Sequence, residues 1–110
     1  MNYHAHIYWR NEEEKILALG LRLTLHDNGC GLGRIRDVPV GPHPLPMYQV
    51  MYNEKNQEFV EQYLKKNSGM LSILLHEAVE EDDLRDHTVG ARWIGASVKL
   101  RLEFFDAETN

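Results

Sequence analysis

A short alternating segment near the start of the chain limits the fold more than any other feature. Residues 3–9, Tyr-His-Ala-His-Ile-Tyr-Trp, are predicted to form a strand, whose successive side chains point to opposite faces. One face carries Tyr3, Ala5, Ile7 and Trp9 and is predicted to face the core; the other carries His4, His6 and Tyr8. His4 and His6 are roughly 7 Å apart along such a strand. They can therefore share a metal ion or small polar ligand, or form a hydrogen-bonded surface pair.

Two segments with helical periodicity follow. In the first, Asn11 is a good N-cap, three glutamates occupy the first turn, and apolar residues recur at helical spacing toward an end near 26–28. In the second, Asn53 or Asn56 caps a helix that ends at 67–69, Asn-Ser-Gly. Both patterns have one apolar side, which predicts that the helices pack on a sheet.

Four further segments are predicted to be strands: residues 32–38, 47–52, 71–76 and 98–104. Residues 83–91 are predicted to form a short helix or turn. The resulting order is β-α-β-β-α-β with one extra C-terminal strand, which is the α+β ferredoxin-like sandwich. A chain of 110 residues fits a single domain, 1–110.

This topology brings a third histidine to the first two. In a ferredoxin-like sheet the first strand lies between the third and the fourth, and the fourth runs antiparallel to it. His76, at the end of the fourth strand, is therefore predicted to lie beside His4 and His6 on the face without helices. Cross-strand neighbours have Cβ atoms about 5 Å apart, within reach of one ion. Gln49 in the third strand is placed on the same face.

Composition excludes several classes of function. The net charge of −5 disfavours binding to nucleic acid or to an anionic membrane surface. An RNA-binding sheet needs exposed aromatic residues with basic neighbours, and the histidine face has only Tyr8, so this class ranks last. Cys30 is the single cysteine, and no 18-residue apolar run is present. We therefore expect a cytoplasmic protein without a membrane span.

The remaining histidines have weaker signals. His43 lies in a loop, residues 40–46, that three prolines stiffen. Such a loop either holds His43 at a set position or is a rigid connection with an incidental histidine. His43 is at the far end of the third strand unless its loop folds back or serves a neighbouring subunit. His87 follows an acidic segment, and His26 is predicted at a helix C-terminus without a functional role.

Five ordered motifs resemble those of the DOPA 4,5-dioxygenase family. They are H-A-H-I-Y-W at 4–9, G-P-H-P-L-P-M-Y-Q-V at 41–50, L-S-I-L-L-H at 71–76, L-R-D-H at 84–87 and A-R-W-I-G at 91–95. Together they span residues 4–95. Two features depart from the family: Glu77 stands where a proline usually follows His76, and the chain lacks the extensions of the fungal members that act on DOPA.

The resemblance implies an extradiol dioxygenase. Such an enzyme uses non-haem Fe(II) and O₂ to cleave a catechol ring, converting DOPA to a seco-DOPA semialdehyde that cyclises. The resemblance also implies an extra C-terminal strand used for dimerisation. The predicted metal ligands are His4, His6 and His76, with zinc or nickel able to replace iron in purified protein. The predicted catalytic residues are His43 and His87, for acid-base work or substrate contact. The predicted substrate-binding residues are Arg34, Gln49 and Tyr8.

Several alternatives stay open at this point. Arg34 matches a family arginine that could pair with a substrate carboxylate, but it is equally compatible with an exposed strand position. No carboxylate ligand is evident, because Glu77 points away from His76 and Asp86 needs its loop to fold back. The site is then a three-histidine site, or one strand face is assigned wrongly. A non-catalytic ferredoxin-like dimer that binds a metal or small aromatic ligand is the alternative function.

The last predicted strand suggests how two subunits would meet. Val98, Leu100, Leu102 and Phe104 form one apolar row. Because an uncovered apolar edge strand invites pairing with a second chain, we expect a homodimer built through this row.

Overall fold

The computed structural model describes residues 2–78 and 91–101. The helices are α1 (Glu12–Gly20), α2 (Arg22–Asp27) and α3 (Gln57–Asn67). The strands are β1 (Asn2–Tyr8), β2 (Gly31–Leu32), β3 (Met47–Asn53), β4 (Ser72–Glu77) and β5 (Arg92–Ile94). They form one antiparallel sheet in the order β2-β3-β1-β4-β5. The ferredoxin-like fold with an extra C-terminal strand is therefore confirmed, and β1 is central as predicted.

The main core lies between the helices and one sheet face. Its strand residues are Ala5 and Ile7 from β1, with Tyr48, Val50, Tyr52, Ile73 and Leu75 from the neighbouring strands. The helices contribute Ala18, Leu25, Val60 and Leu64 to the same cluster. This is the face predicted from alternation, so His4, His6 and Tyr8 occupy the other face. Asn11 caps α1 as expected, accepting the Glu14 amide at 2.8 Å.

The first predicted helix is two helices. It breaks at Leu21, where the Leu21 amide donates to the Ala18 carbonyl at 3.3 Å. The same carbonyl accepts the buried Tyr48 hydroxyl at 2.6 Å. A side chain of β3 thus hydrogen-bonds a backbone carbonyl in the last turn of α1. This contact is between residues far apart in the sequence, so helical spacing alone could not predict it.

The second predicted strand is wrong over most of its length. Only Gly31–Leu32 pair with β3, and an isolated bridge joins Arg36 to Met47. Residues 34–38 are exposed. Their alternating pattern therefore buries no apolar face, and no burial stabilises pairing with β3. Pro39, just beyond this segment, has no backbone N–H to donate to a ladder.

The extra C-terminal strand lies earlier in the chain than predicted. It is β5, which ends at Ile94 just before Gly95, whereas residues 98–101 lie outside any strand and 102–104 are not described. Gly95 has φ +77°, and a Cβ there would be 2.4 Å from the Leu71 carbonyl oxygen. Val98 and Leu100 instead pack on the histidine face of the sheet, against Tyr8, Met47 and Leu74. The apolar row is therefore used in part to cover the sheet. The predicted turn at 83–91 falls almost wholly outside the described residues.

Candidate metal and active site

Three histidines meet on the sheet face opposite the helices. His4 and His6 extend from β1, and the register places His76 of β4 directly across from His4. The Nε2 atoms of His6 and His76 are 2.9 Å apart. One ligand nitrogen from each of the three rings can be chosen so that all lie within 4.8 Å of one another. The juxtaposition follows from side-chain alternation and antiparallel pairing, as the sequence predicted.

Burial differs among the three rings. His6 and His76 are only 3% and 2% exposed, whereas His4 is half-buried. A surface cleft with a volume of about 300 Å³ reaches His4 and is also lined by Asn2, Met51 and Asn53. The cluster is therefore enclosed around His6 and His76, and this cleft borders it at His4.

A backbone hydrogen bond selects the tautomer of His76. Its Nδ1 lies 3.1 Å from the Glu77 carbonyl oxygen, which can only accept, so Nδ1 donates. In the neutral ring Nε2 is then unprotonated and directs its lone pair toward His6. Metal-binding histidines are commonly oriented by such a bond from the nitrogen that does not bind the metal.

The cluster fits a transition-metal ion. Imidazole suits iron, zinc, nickel and copper, and two nitrogens that each bind an ion at about 2.1 Å lie roughly 3.0–3.4 Å apart. The separation of His6 and His76 is close to this range. Over residues 2–78 and 91–101, the group whose ligand atoms lie close enough together to share one ion is His4, His6 and His76, and it includes no carboxylate. Asp86, the remaining carboxylate considered, lies outside the described residues.

The proline-rich loop folds back onto the site. The centroids of the His43 and His6 rings are 4.4 Å apart, and His43 is 6% exposed. The His43 amide donates to the Val40 carbonyl at 3.0 Å, and the Arg101 amide donates to the Pro42 carbonyl at 2.7 Å. His43 was predicted to reach the site only if its loop folded back or served a neighbouring subunit, and the loop folds back within the same chain. A contact 59 residues away along the sequence, from 42 to 101, helps to hold the loop.

A second apolar cluster covers the face beside the histidines. Tyr8, Met47 and Leu74 are buried there, and Trp93 stacks on Tyr8 with ring centroids 6.0 Å apart. The Tyr8 hydroxyl lies 2.6 Å from His43 Nδ1. Burial raises the pKa of Tyr8 well above its usual range, so this phenol stays neutral. Trp93 was missed as a site residue, although the A-R-W-I-G motif contained the signal.

The other predicted site residues are more scattered. Gln49 is half-buried and directly opposite His6, on the predicted face. Arg34 is exposed beyond β2, and no hydrogen bond or ion pair found among the described residues joins it to the histidines. His87 lies outside the described residues. His26 is exposed near the end of α2, a helix that packs on the other face of the sheet.

The fold and site together define a class: a small ferredoxin-like α+β domain with a histidine cluster on the sheet face opposite its helices. The chain belongs to the Dopa 4,5-dioxygenase family, whose profile matches residues 3–104. The resemblance drawn from the motifs is therefore confirmed. By its name, the family is one of oxygenases.

Comparisons with individual proteins agree. The chain is 38% identical over 109 residues to DOPA 4,5-dioxygenase from Amanita muscaria, covering 91% of this chain and 47% of that protein. It is 31% identical over 108 residues to an uncharacterized 21.2 kDa protein from Botryotinia fuckeliana, covering 90% and 59%. The chain thus spans about half the length of the curated relatives it matches.

A solved structure has the same fold. It is a "putative dioxygenase" from Nostoc punctiforme, with a TM-score of 0.89 and 34% identity over 97% of this chain and 92% of that one. Across the described residues, none of the helices has the length and apolar character needed to cross a bilayer.

Proposed function

We propose that the protein is a non-haem iron extradiol dioxygenase that cleaves the ring of DOPA or a related catechol. The observation that carries the proposal is the convergence of His4, His6 and His76 within ligation distance. Family membership and the named DOPA 4,5-dioxygenase relative support the substrate class. The reaction inserts both atoms of O₂ and breaks the ring bond beside one hydroxylated carbon, so it needs no external reductant.

His4, His6 and His76 would hold the iron. Bound Fe(II) would supply a centre that engages both catechol oxygens and O₂. The enclosed side of the cluster keeps bulk water from the buried His6 and His76 rings. The cleft beside His4 would give a small molecule access to that ring, and its volume of about 300 Å³ is at the lower end of ordinary ligand pockets.

His43 is the described residue best placed for contact with the substrate. Its ring lies against His6, and the chain holds it there through the loop and the Tyr8 hydroxyl. An imidazole at this position can hydrogen-bond a catechol oxygen or exchange a proton with it. Gln49, opposite His6, offers an amide on the same face.

A catechol screen tests the proposal. Protein loaded anaerobically with Fe(II) is mixed with oxygenated DOPA, caffeate, protocatechuate or catechol, while O₂ uptake and yellow semialdehyde products are recorded. We expect stoichiometric O₂ uptake with at least one catechol, its loss in His76→Ala, and its retention in His26→Ala. Binding of metal and catechol without O₂ uptake would favour the non-catalytic binding protein. Normal turnover by a folded His76→Ala variant would remove His76 from the site.

A further inference from the structure

The Tyr8 hydroxyl is fully buried, and within the described part of the chain its one hydrogen-bond partner is His43 Nδ1, at 2.6 Å. A buried phenol proton needs an acceptor, because an unsatisfied buried donor is costly. A neutral imidazole has one protonated and one unprotonated nitrogen, and only the latter accepts. The Tyr8 hydroxyl therefore donates, and His43 Nδ1 accepts.

This direction determines which nitrogen of His43 has a hydrogen atom. With Nδ1 accepting, the neutral ring has its proton on Nε2. His43 then offers an N–H donor to its surroundings. An imidazole in this tautomer can hydrogen-bond an oxygen that carries negative charge, but it cannot remove a proton through Nε2.

Neighbouring strands and a stacked indole ring hold the Tyr8 side chain in place. Met47 and Ser72 lie opposite it on the two neighbouring strands. Trp93 stacks on the ring with an interplanar angle of 28°. The hydroxyl therefore has little freedom to follow a different rotamer of His43, and the pair is pre-organised before any substrate arrives.

We propose that Tyr8 is a positioning residue that fixes His43 in the Nε2–H tautomer, so that His43 serves as a hydrogen-bond donor to a substrate oxygen. The catalytic part of this inference rests on the proposed function; the tautomer part does not. It also changes the predicted role of Tyr8, which acts through His43 because its own hydroxyl is already engaged. Charge on a substrate oxygen grows as a catechol ionises, so a fixed donor favours the reacting form.

The tautomer can be read in the metal-free protein. Histidine labelled with the heavy nitrogen isotope distinguishes protonated from unprotonated ring nitrogens by NMR, at a mildly alkaline pH where ordinary imidazoles are neutral. We expect His43, assigned by its loss in His43→Gln, to show an unprotonated Nδ1 and a protonated Nε2. Tyr8→Phe should shift these signals toward a mixture of tautomers. Tyr48→Phe is the matched control, because it removes another buried hydroxyl from the opposite sheet face. A protonated Nδ1 in the parent, or an unchanged His43 in Tyr8→Phe, would overturn the inference.

Kinetics of the Fe(II)-loaded protein test the consequence. Tyr8→Phe should lower kcat by about 10-fold to 100-fold with little change in KM, as for other groups that orient an active-site residue. Adding Tyr8→Phe to His43→Ala should cause no further loss, since the tyrosine acts through the histidine. Additive losses would refute the positioning role. If the parent turns over no catechol, the proposed function fails, and the NMR result still decides the tautomer assignment.

Discussion

Glu61 on α3 connects the helix layer to the strand that supports Trp93. Its Oε1 accepts from Arg92 Nη1 at 3.0 Å, and its Oε2 accepts from Arg92 Nη2 at 2.8 Å. Oε2 also accepts from the Tyr52 hydroxyl at 2.9 Å and from Gln57 at 3.2 Å. Glu61→Gln keeps the volume of the side chain but replaces one acceptor with an amide that faces donors. This variant should be clearly destabilised.

The expected loss follows from the exposure of the two partners. The Glu61 side chain is 11% exposed and the Arg92 side chain 52%. Exposed ion pairs contribute about 0–1 kcal/mol, and breaking a fully buried pair costs about 3–5 kcal/mol. With one partner buried and one half-exposed, we expect the free energy of unfolding at neutral pH to fall by about 2 kcal/mol. The corresponding fall in Tm is roughly 10 °C for a domain of this size.

The pH dependence separates this explanation from a packing defect. Burial pushes the pKa of Glu61 upward, but hydrogen bonds from Arg92, Tyr52 and Gln57 outweigh it, and the pKa lies below its usual 4.5. A carboxylate with a lowered folded-state pKa stabilises the protein above its unfolded pKa and loses that effect as the pH falls through the folded value. The difference between parent and Glu61→Gln should therefore shrink as the pH falls below the ordinary carboxyl range and through the lowered folded-state pKa.

Urea unfolding followed by circular dichroism at several pH values measures this difference. Glu58→Gln, one turn earlier on the exposed side of α3, is the control and should change stability by about 0.5 kcal/mol or less. A Glu61→Gln loss below that value, or one that is the same at acidic and neutral pH, would refute the reasoning.

Three further predictions concern the site, a tight turn and assembly. His76→Ala should weaken Ni²⁺ or Zn²⁺ binding measured by calorimetry more than about 10-fold, while His26→Ala should bind as the parent does; equal affinities would exclude His76 as a ligand. Gly95→Ala should lower the free energy of unfolding in urea by about 2–4 kcal/mol, because Gly95 has a positive φ and an added Cβ would lie 2.4 Å from the Leu71 carbonyl oxygen. Gly20→Ala is the control: nothing lies within 4 Å of an added Cβ there, so this change should be neutral or stabilise by up to about 1 kcal/mol. Light scattering should report a homodimer that Phe104→Asp disrupts, and a parent mass of 12.8 kDa would contradict it.

Much of the fold was accessible from the sequence because its signals are local. The alternation in β1 separates Ala5 and Ile7 from His4 and His6, and the packing confirms that separation, because Ala5 and Ile7 belong to the core under the helices while both histidines join His76 on the other face. Helical periodicity, the Asn11 cap and the strand order then point to one topology. Local patterns were less reliable where burial is absent: the alternation after Leu32 had no covered face and did not become a strand.

Neighbours far along the chain decided what local patterns could not. Alternating apolar residues predicted a strand at 98–104. Val98 and Leu100 of that row instead bury their side chains against Tyr8, Met47 and Leu74. An apolar row needs a partner surface, and its period does not say which surface is nearest. Only the packed chain shows that Arg92–Ile94 takes the edge of the sheet.

The sequence by itself determined that three histidines share one sheet face, because strand alternation and antiparallel pairing are nearly independent of the loops. The tertiary structure alone decided that His43 joins them. A proline-rich loop is stiff but has no local signal for its direction, and here that direction depends on the Arg101 amide, the Tyr8 hydroxyl and the ring of His6. These contacts link residues 6, 8, 43 and 101, and the free energy that favours them exists only after the sheet has formed.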